Sequence, residues 1–381
     1  GRVAELLAQL GANLSTDRSN SFRGRRRRGS STLTDFTYIG GGAFGSVWRV
    51  RRPNDSRYYA LKVLNAHAYD KNDLSNYARR ESRVLQVAQH PYIIWLFACL
   101  RTPEGDLAML MEYASNGTVQ QRIDNWADDY RHVALDVEAA GVWSTQVLCA
   151  LECLHSMGVM HRDLKCDNVM LDSNDVAKLA DFGFARPTGG RCNRADSYVG
   201  TDCYMAPEVG LGDYDNRVDV YALGVVIFMM LTGGDPTRGP APAPGHTPPR
   251  ESDPILNVFG SFGGAGAAGW GSESEDGHRR RPPPTHEALR HRLEDPRWVD
   301  NLPEAGVEVV RQLTSYAPSQ RGCTWQLGDL AWFRRCHQVF NPGGCSTQAV
   351  SDVGNSLEGI PLGELPRWSM ENGSRPLLSG P

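Results

Sequence analysis

Two charged motifs on either side of a short strand pair constrain this chain more than any other feature. His161-Arg162-Asp163-Leu164-Lys165-Cys166-Asp167-Asn168 is followed by the strand-like runs Asn168 to Leu171 and Ala177 to Leu179, and then by Asp181-Phe182-Gly183. Three acid or amide side chains, Asp163, Asn168 and Asp181, therefore fall within twenty residues. That set suits one task, in which a carboxylate accepts a hydroxyl proton while hard oxygen donors hold Mg²⁺ on a nucleotide. Either motif alone would be ordinary turn chemistry or a surface ion pair. Both in this order are hard to obtain by accident.

Two weaker signals upstream agree with it. Gly40-Gly41-Gly42-Ala43-Phe44-Gly45-Ser46-Val47 fits G-x-G-x-x-G-x-V, in which glycines let backbone amides approach a polyphosphate. A dinucleotide fold would need a helix after the glycines, but Ser46 to Val50 alternates like a strand, so a hairpin is expected. In isolation the run would be a flexible turn. Tyr59-Ala60-Leu61-Lys62-Val63 sets a lysine among apolar strand residues, where its charge is costly without an anionic partner. Glu81, in the next helical stretch, is the candidate, although a snorkelling lysine and a solvent-facing glutamate are the commoner arrangement for each alone.

The coarse pattern divides the chain. Phe36 to Ile39, Ser46 to Arg51, Tyr58 to Leu64, Tyr92 to Leu100 and Leu107 to Tyr113 read as strands, with one strong helix over Asn72 to Gln89. From Leu135 helices dominate: Val142 to Met157 reads as amphipathic, and Val218 to Leu231 is apolar nearly all round, as for a helix buried in a larger lobe. The organisation expected is a basic, disordered arm at 1–34 containing Arg25 to Arg28, a strand-rich unit at 35–114, and a helical unit at 115–340. A Gly/Pro-rich insertion at about 234–284 and a tail at 341–381 are too poor in apolar residues to offset their ordering entropy. Globular composition returns from Leu293 to Phe333.

Composition limits partners and compartment. A formal net charge of −4 gives no reason to expect nucleic acid. The longest apolar run, interrupted by Asp219, is too short to span a bilayer, so no transmembrane segment is expected. Nine cysteines without a close CxxC pair favour free thiols and a reducing compartment. Gly1 stands where an initiator Met would, which suits a fragment or a processed form. Oligomeric state is not written in the sequence.

With Ala206-Pro207-Glu208 downstream of Gly200-Thr201, Asp219 opening the apolar helix, and Arg321 after Pro318-Ser319-Gln320, the chain resembles a eukaryotic protein kinase of the Ser/Thr type from about Phe36 to Phe340. The resemblance implies an α+β, bilobal protein-kinase-like fold: a small antiparallel β-sheet N-lobe with one key helix, and a larger, mainly α-helical C-lobe. It implies ATP and Mg²⁺ in the cleft between them and Ser/Thr hydroxyls of protein substrates as acceptors. Gly40, Gly41, Gly42, Ala43, Phe44 and Gly45 would cover the phosphates, and Lys62 would hold them while paired with Glu81. Val47, Ala60 and Met170 would sandwich adenine against Glu112 and Ala114, with Met111 as gatekeeper. Asp163 matches the base, Lys165 its neighbour at the transferring phosphate, and Asn168 and Asp181 the metal ligands. Leu85, His161, Phe182 and Asp219 fit the stack that joins the lobes, and Glu208 and Arg321 a buried ion pair.

Some residues depart from the family pattern. Thr118 stands where basophilic relatives carry an acid near the ribose and the substrate arginine, which weakens an arginine preference although Asp167 remains. Cys166 replaces the usual proline. The resemblance also points to Ser197 as a regulatory phosphosite, placed by an upstream kinase and met by Arg162 and Arg186; the bland alternative is an unmodified surface serine. Two other classes compete: a catalytically dead kinase fold used for binding, disfavoured by intact Lys62, Asp163, Asn168 and Asp181, and a small-molecule or lipid phosphotransferase, disfavoured by the intact Gly200 to Glu208 segment. A cytoplasmic location is expected, with nuclear import through the basic arm as the weaker option.

Overall fold

Alternation along Tyr58 to Leu64 decides how the first lobe is built. Tyr59, Leu61 and Val63 point to one face and pack with Leu33, Val50, Ala108 and Leu110 in a small core, while Ala60 and Leu64 join the main core on the other face. The computed structural model describes residues 33–42, 45–51, 57–64, 75–101, 107–128, 136–188, 202–212, 214–236, 284–300 and 302–334. Strands β1 (Thr34–Gly42), β2 (Gly45–Arg51), β3 (Tyr58–Leu64), β4 (Leu96–Arg101) and β5 (Leu107–Glu112) form one antiparallel sheet in the order β1-β2-β3-β5-β4. Helix α1 (Ser75–Val87) follows β3. It is shorter than the expected 72–89, of which 72–74 lie outside the described residues, and Pro91 closes off continuation beyond its end.

Three expectations are corrected here. The strand expected from Tyr92 begins only at Leu96. The backbone of Tyr92 to Ile94 is instead satisfied by Leu179 of the other lobe, through Leu179 N to Tyr92 O at 2.8 Å and Ile94 N to Leu179 O at 3.0 Å. The arm expected at 1–34 ends earlier, because Leu33 is buried and Thr34 already pairs with Arg51. The helix expected as amphipathic is α3 (Val137–Ser156), preceded by α2 (Val119–Asp128). It starts at the N-cap Asp136, whose carboxylate accepts from Glu138 N, and is buried on most sides, including Ser144, Thr145 and Gln146.

That burial has a simple cause. Helix α4 (Arg217–Thr232) packs on one side of α3, and the strand pair β7 (Val169–Leu171) and β8 (Ala177–Leu179) on another. Every residue of α4 from Val218 to Thr232 is buried, and the helix ends at Gly233, whose φ of 69° is the left-handed C-cap conformation that favours glycine. A second short pair, β6 (Val159–Met160) with β9 (Arg186–Pro187), completes the strands. Helices α5 (Pro284–Glu294), α6 (Pro296–Val299), α7 (Glu304–Leu313), α8 (Pro318–Arg321) and α9 (Thr324–Leu327) surround the far end. Helix α5 begins at Pro284, ahead of Leu293, and its Leu289 and Leu293 are both buried. The insertion, arm and tail otherwise lie outside the described residues. The architecture is α+β and bilobal, with one apolar cluster running through both lobes. No described helix is long and apolar enough to cross a membrane, and none of the six cysteines among the described residues is in a disulfide.

Candidate active site

A cavity of about 200 Å³ opens between the sheet and the helical lobe. Ile39 and Ala60 line it from the sheet, Met170 of β7 from the other lobe, and Met111 to Ala114 along its back edge. Hydrogen bonds explain why Met170 lies there: Asn116 N donates to Leu171 O at 3.0 Å and Leu171 N to Gly117 O at 2.8 Å, so the segment leaving β5 runs alongside β7. Lys62, Glu81 and Asp181 form one end. Lys62 Nζ lies 2.7 and 2.8 Å from the two Glu81 carboxylate oxygens, and both residues are buried. Burial disfavours the ammonium, but the carboxylates of Glu81 and Asp181 more than offset it and hold the Lys62 pKa above its ordinary value. The pairing expected from the sequence is present.

On the helical lobe, Asp219 at the start of α4 fixes the loop that carries the acid. Its carboxylate accepts from His161 N and Arg162 N, each at 2.8 Å, and from His155 Nε2 at 2.8 Å. Those two amides hold Arg162 in a left-handed conformation with φ 67°. Asp163 then projects beside Lys165 Nζ at 3.1 Å. A single 3₁₀ turn, Cys166–Asn168, brings Asn168 back so that its Nδ2 donates to Asp163 O at 2.7 Å and to Oδ2 at 3.0 Å. Lys165 and Asn168 thus both engage Oδ2, and Asp163 Oδ1 has no hydrogen-bond partner among the described residues. Burial raises the Asp163 pKa above its ordinary value, partly offset by Lys165. Asp181 follows β8 with φ 61°, and Phe182 packs edge-on against His161, ring centroids 5.1 Å apart. Leu85 and Asp219 are both buried, with Asp219 bonded to His161 N, and Arg321 Nη2 meets Glu208 Oε2 at 2.8 Å in the other expected pair.

The glycine run forms the tip of the β1–β2 hairpin, with Gly40 opposite Val47, Gly41 opposite Ser46 and Gly42 opposite Gly45. Ala43 and Phe44 lie outside the described residues. A Cβ on Gly45 would stand 2.4 Å from Val63 O, and one on Gly41 2.8 Å from Gly45 O, so close backbone approach requires glycine at both. Val47 is buried in the cluster that also holds Ala60 and Met111, opposite Lys62 in register, and Ile39 and Ala60 line the cavity from the sheet side.

Several site residues carry no obvious sequence signal. Ile39 reads as any strand residue. Gln121 does have one, because Thr118-Val119-Gln120-Gln121 fits a T-x-x-Q capping box. Lys178, fully buried in β8, joins Glu112 and Pro91 across two elements. Tyr214 accepts from Arg162 Nη1 at 2.9 Å, and Arg162 Nε donates to Phe184 O at 2.8 Å. Ser197 lies outside the described residues, as do Gly200 and Thr201. Arg186, on β9, pairs in register with Met160, two residues before Arg162.

Among the described residues no group of three or more His, Cys, Asp or Glu side chains is arranged to hold a metal by itself. The donors at the cleft still fit a hard cation shared with a phosphate. Asn168 donates through Nδ2 and keeps its Oδ1 for a ligand, and Asp181 adds a carboxylate at the cavity end. Magnesium binds through few protein oxygens plus phosphate and water, which matches that pair.

The protein kinase domain family matches residues 33–248, more than half of the chain. Protein kinase C of Drosophila melanogaster is 34% identical over 218 residues, covering 56% of this chain and 29% of that protein. The human RAC-beta serine/threonine-protein kinase is 34% identical over 212 residues, covering 55% and 43%. A cAMP-dependent protein kinase, catalytic subunit-like protein of Caenorhabditis briggsae is 33% identical over 210 residues, covering 55% and 52%. The chain spans between 29% and 52% of the length of these relatives. With the bilobal fold, the Lys62–Glu81 pair and the Asp163 loop in the family's order, the chain belongs to the protein kinase domain family.

Proposed function

We propose that this chain transfers the γ-phosphate of Mg-ATP to Ser or Thr hydroxyls of protein substrates. One observation carries the reading: Asp163 is held through Oδ2 by Lys165 and Asn168, so Oδ1 keeps a lone pair for an incoming hydroxyl proton. Lys62, fixed by Glu81, presents its ammonium to the phosphates at the cavity end beside Asp181. Lys165 adds a second cation near the acceptor, where charge on the migrating phosphoryl group needs support. Asn168 and Asp181 are the residues that would hold Mg²⁺, which when bound neutralises charge on the terminal phosphates. The Ser/Thr class is supported by Lys165 two residues after the base and by the printed names of the relatives. Incubating the protein with Mg-ATP and peptide pools containing Ser, Thr or Tyr tests it: label on Ser and Thr pools is expected, and label confined to the Tyr pool or to none contradicts it.

Regulation through Ser197 belongs to the same proposal. A phosphate there would meet Arg162, whose guanidinium still has three N–H donors beyond those given to Phe184 O and Tyr214, and Arg186 on the adjoining strand. Ser197→Ala and phosphatase treatment should then depress the rate together; an unchanged rate in both contradicts regulation at this serine. The Gly/Pro-rich 236–283 is proposed to be dispensable for transfer, since α4 is capped by Gly233 and α5 begins at Pro284.

A further inference from the structure

The glycine hairpin carries two aromatic side chains on the face turned away from the cavity. Ile39 and Ala60 line the cavity from one side of the sheet, whereas Trp48, opposite Leu61 in register, packs against the small core on the other side. Tyr38 pairs with Trp48 across β1 and β2, and their rings meet edge to face with centroids 5.3 Å apart.

Both rings reach forward to the tip. Gly41 and Ser46 face each other nearer the turn. Trp48 Nε1 donates to Ser46 Oγ at 2.9 Å, and the Tyr38 hydroxyl lies 2.8 Å from the point that a Gly41 Cβ would occupy. Each ring therefore holds one strand of the tip, and the contact between the rings ties the two holds together. The tip needs such a hold, because Gly40, Gly41, Gly42 and Gly45 give its backbone freedom and no side chain to limit it. A register shift between Tyr38 and Gly40 bends β1 just before it. Val47 faces Lys62 and Gly45 faces Leu64, so the tip extends two residues beyond the lysine. Among the described residues lining the cavity Lys62 is the one cation, which places the phosphates of a bound nucleotide at that end. We propose that Tyr38 and Trp48 form a clasp behind the glycine tip that keeps its backbone amides in place for those phosphates. Tyr38 touches no ligand and is a positioning residue that acts through Gly41. The inference rests on the Mg-ATP reading above and assigns to it the pair of residues that sets the phosphate share of the affinity.

Dissociation constants of Mg-ATP and of adenosine, which lacks phosphates, test it in wild type, Tyr38→Ala, Trp48→Leu and the double variant. Tyr38 is 50% exposed, so its truncation leaves the core intact. Tyr38→Ala should weaken Mg-ATP by about 3- to 10-fold, within the range of one aromatic pair, and leave adenosine within about 1.5-fold. Trp48→Leu should lower the same ratio of Mg-ATP to adenosine affinity. The double variant should lower it no further than the larger single change, because a clasp is broken only once. General loosening of the lobe weakens both ligands together and leaves the ratio alone. An unchanged ratio in Tyr38→Ala, or losses that multiply in the double variant, overturn the clasp while the nucleotide reading stands. Failure of wild type to bind Mg-ATP overturns both.

Discussion

Lys178 Nζ sits 3.2 Å from a Glu112 carboxylate oxygen and 2.6 Å from the carbonyl of Pro91. One fully buried ammonium therefore joins β8, just before Asp181, to the last residue of β5 and to the loop after α1. Removing one partner of such a pair strands the other, which typically costs about 3–5 kcal/mol. Lys178→Met should lower urea stability by that order, and the double variant with Glu112→Gln should lose clearly less than the sum of the two single changes. Additive losses would show that the two residues do not work as a pair.

His90 lies against the same lysine and supplies a pH signature. Burial and then the Lys178 cation push its pKa down to about 4, and its Nδ1 accepts from Tyr92 N at 3.2 Å, as only an unprotonated nitrogen can. The unfolded chain takes up this proton near pH 6.5 and the folded one only near 4. Stability from this group is therefore present above about 6.5 and lost as pH falls toward 4, by up to about 3 kcal/mol. Asp163 and Asp167, whose pKa values are raised, act in the opposite sense at the acid end. The check is the difference in urea stability between wild type and His90→Gln across pH 7 to 4; it should shrink on acidification, and a constant difference would contradict the account.

How much of this was legible in the sequence follows from the range of each signal. The catalytic loop, Asp181, the Lys62 strand and the buried α4 were readable because each is a local run of chemistry or hydrophobicity. Tyr92 to Trp95 was misread as strand because its β-like composition is satisfied by Leu179, 87 residues from Tyr92 in the chain, which no window of local pattern contains. Ile39 lines the cavity from a strand whose register shifts between Tyr38 and Gly40, a matter that alternation alone leaves open. Lys178 and Tyr214 had no motif at all; each matters through partners far away in sequence. Gln121 was readable as a cap, and only the fold shows that this cap borders the cavity.

Tyr214 is a positioning residue for the loop before the base. Its hydroxyl and Phe184 O hold the Arg162 guanidinium, directly before Asp163. Tyr214→Phe removes one hydrogen bond to a charged, partly exposed group, so kcat should fall by about 3- to 10-fold while Mg-ATP affinity stays within about twofold. An equal fall in nucleotide affinity would point instead to general loosening of the lobe.

On the proposed mechanism the acid limb of the rate profile should report Asp163. Burial holds its pKa above the ordinary 3.8, and Lys165 works against that rise. The base must be ionised, so kcat/KM should fall as pH drops through a midpoint above 3.8, and Lys165→Met should move that midpoint higher as well as lower the plateau. A midpoint that stays fixed in Lys165→Met would separate the limb from Asp163.

The most direct measurement is phosphate transfer from Mg-ATP to a Ser/Thr peptide by wild type and Asp163→Ala, with Mg-ATP affinity measured on both proteins. On the proposed mechanism the Oδ1 of Asp163 takes the hydroxyl proton, and a positioned base contributes about 10²- to 10⁴-fold. The account predicts a loss of at least about 10² in kcat with affinity within about threefold of wild type. An Asp163→Ala protein that transfers phosphate at the wild-type rate contradicts it.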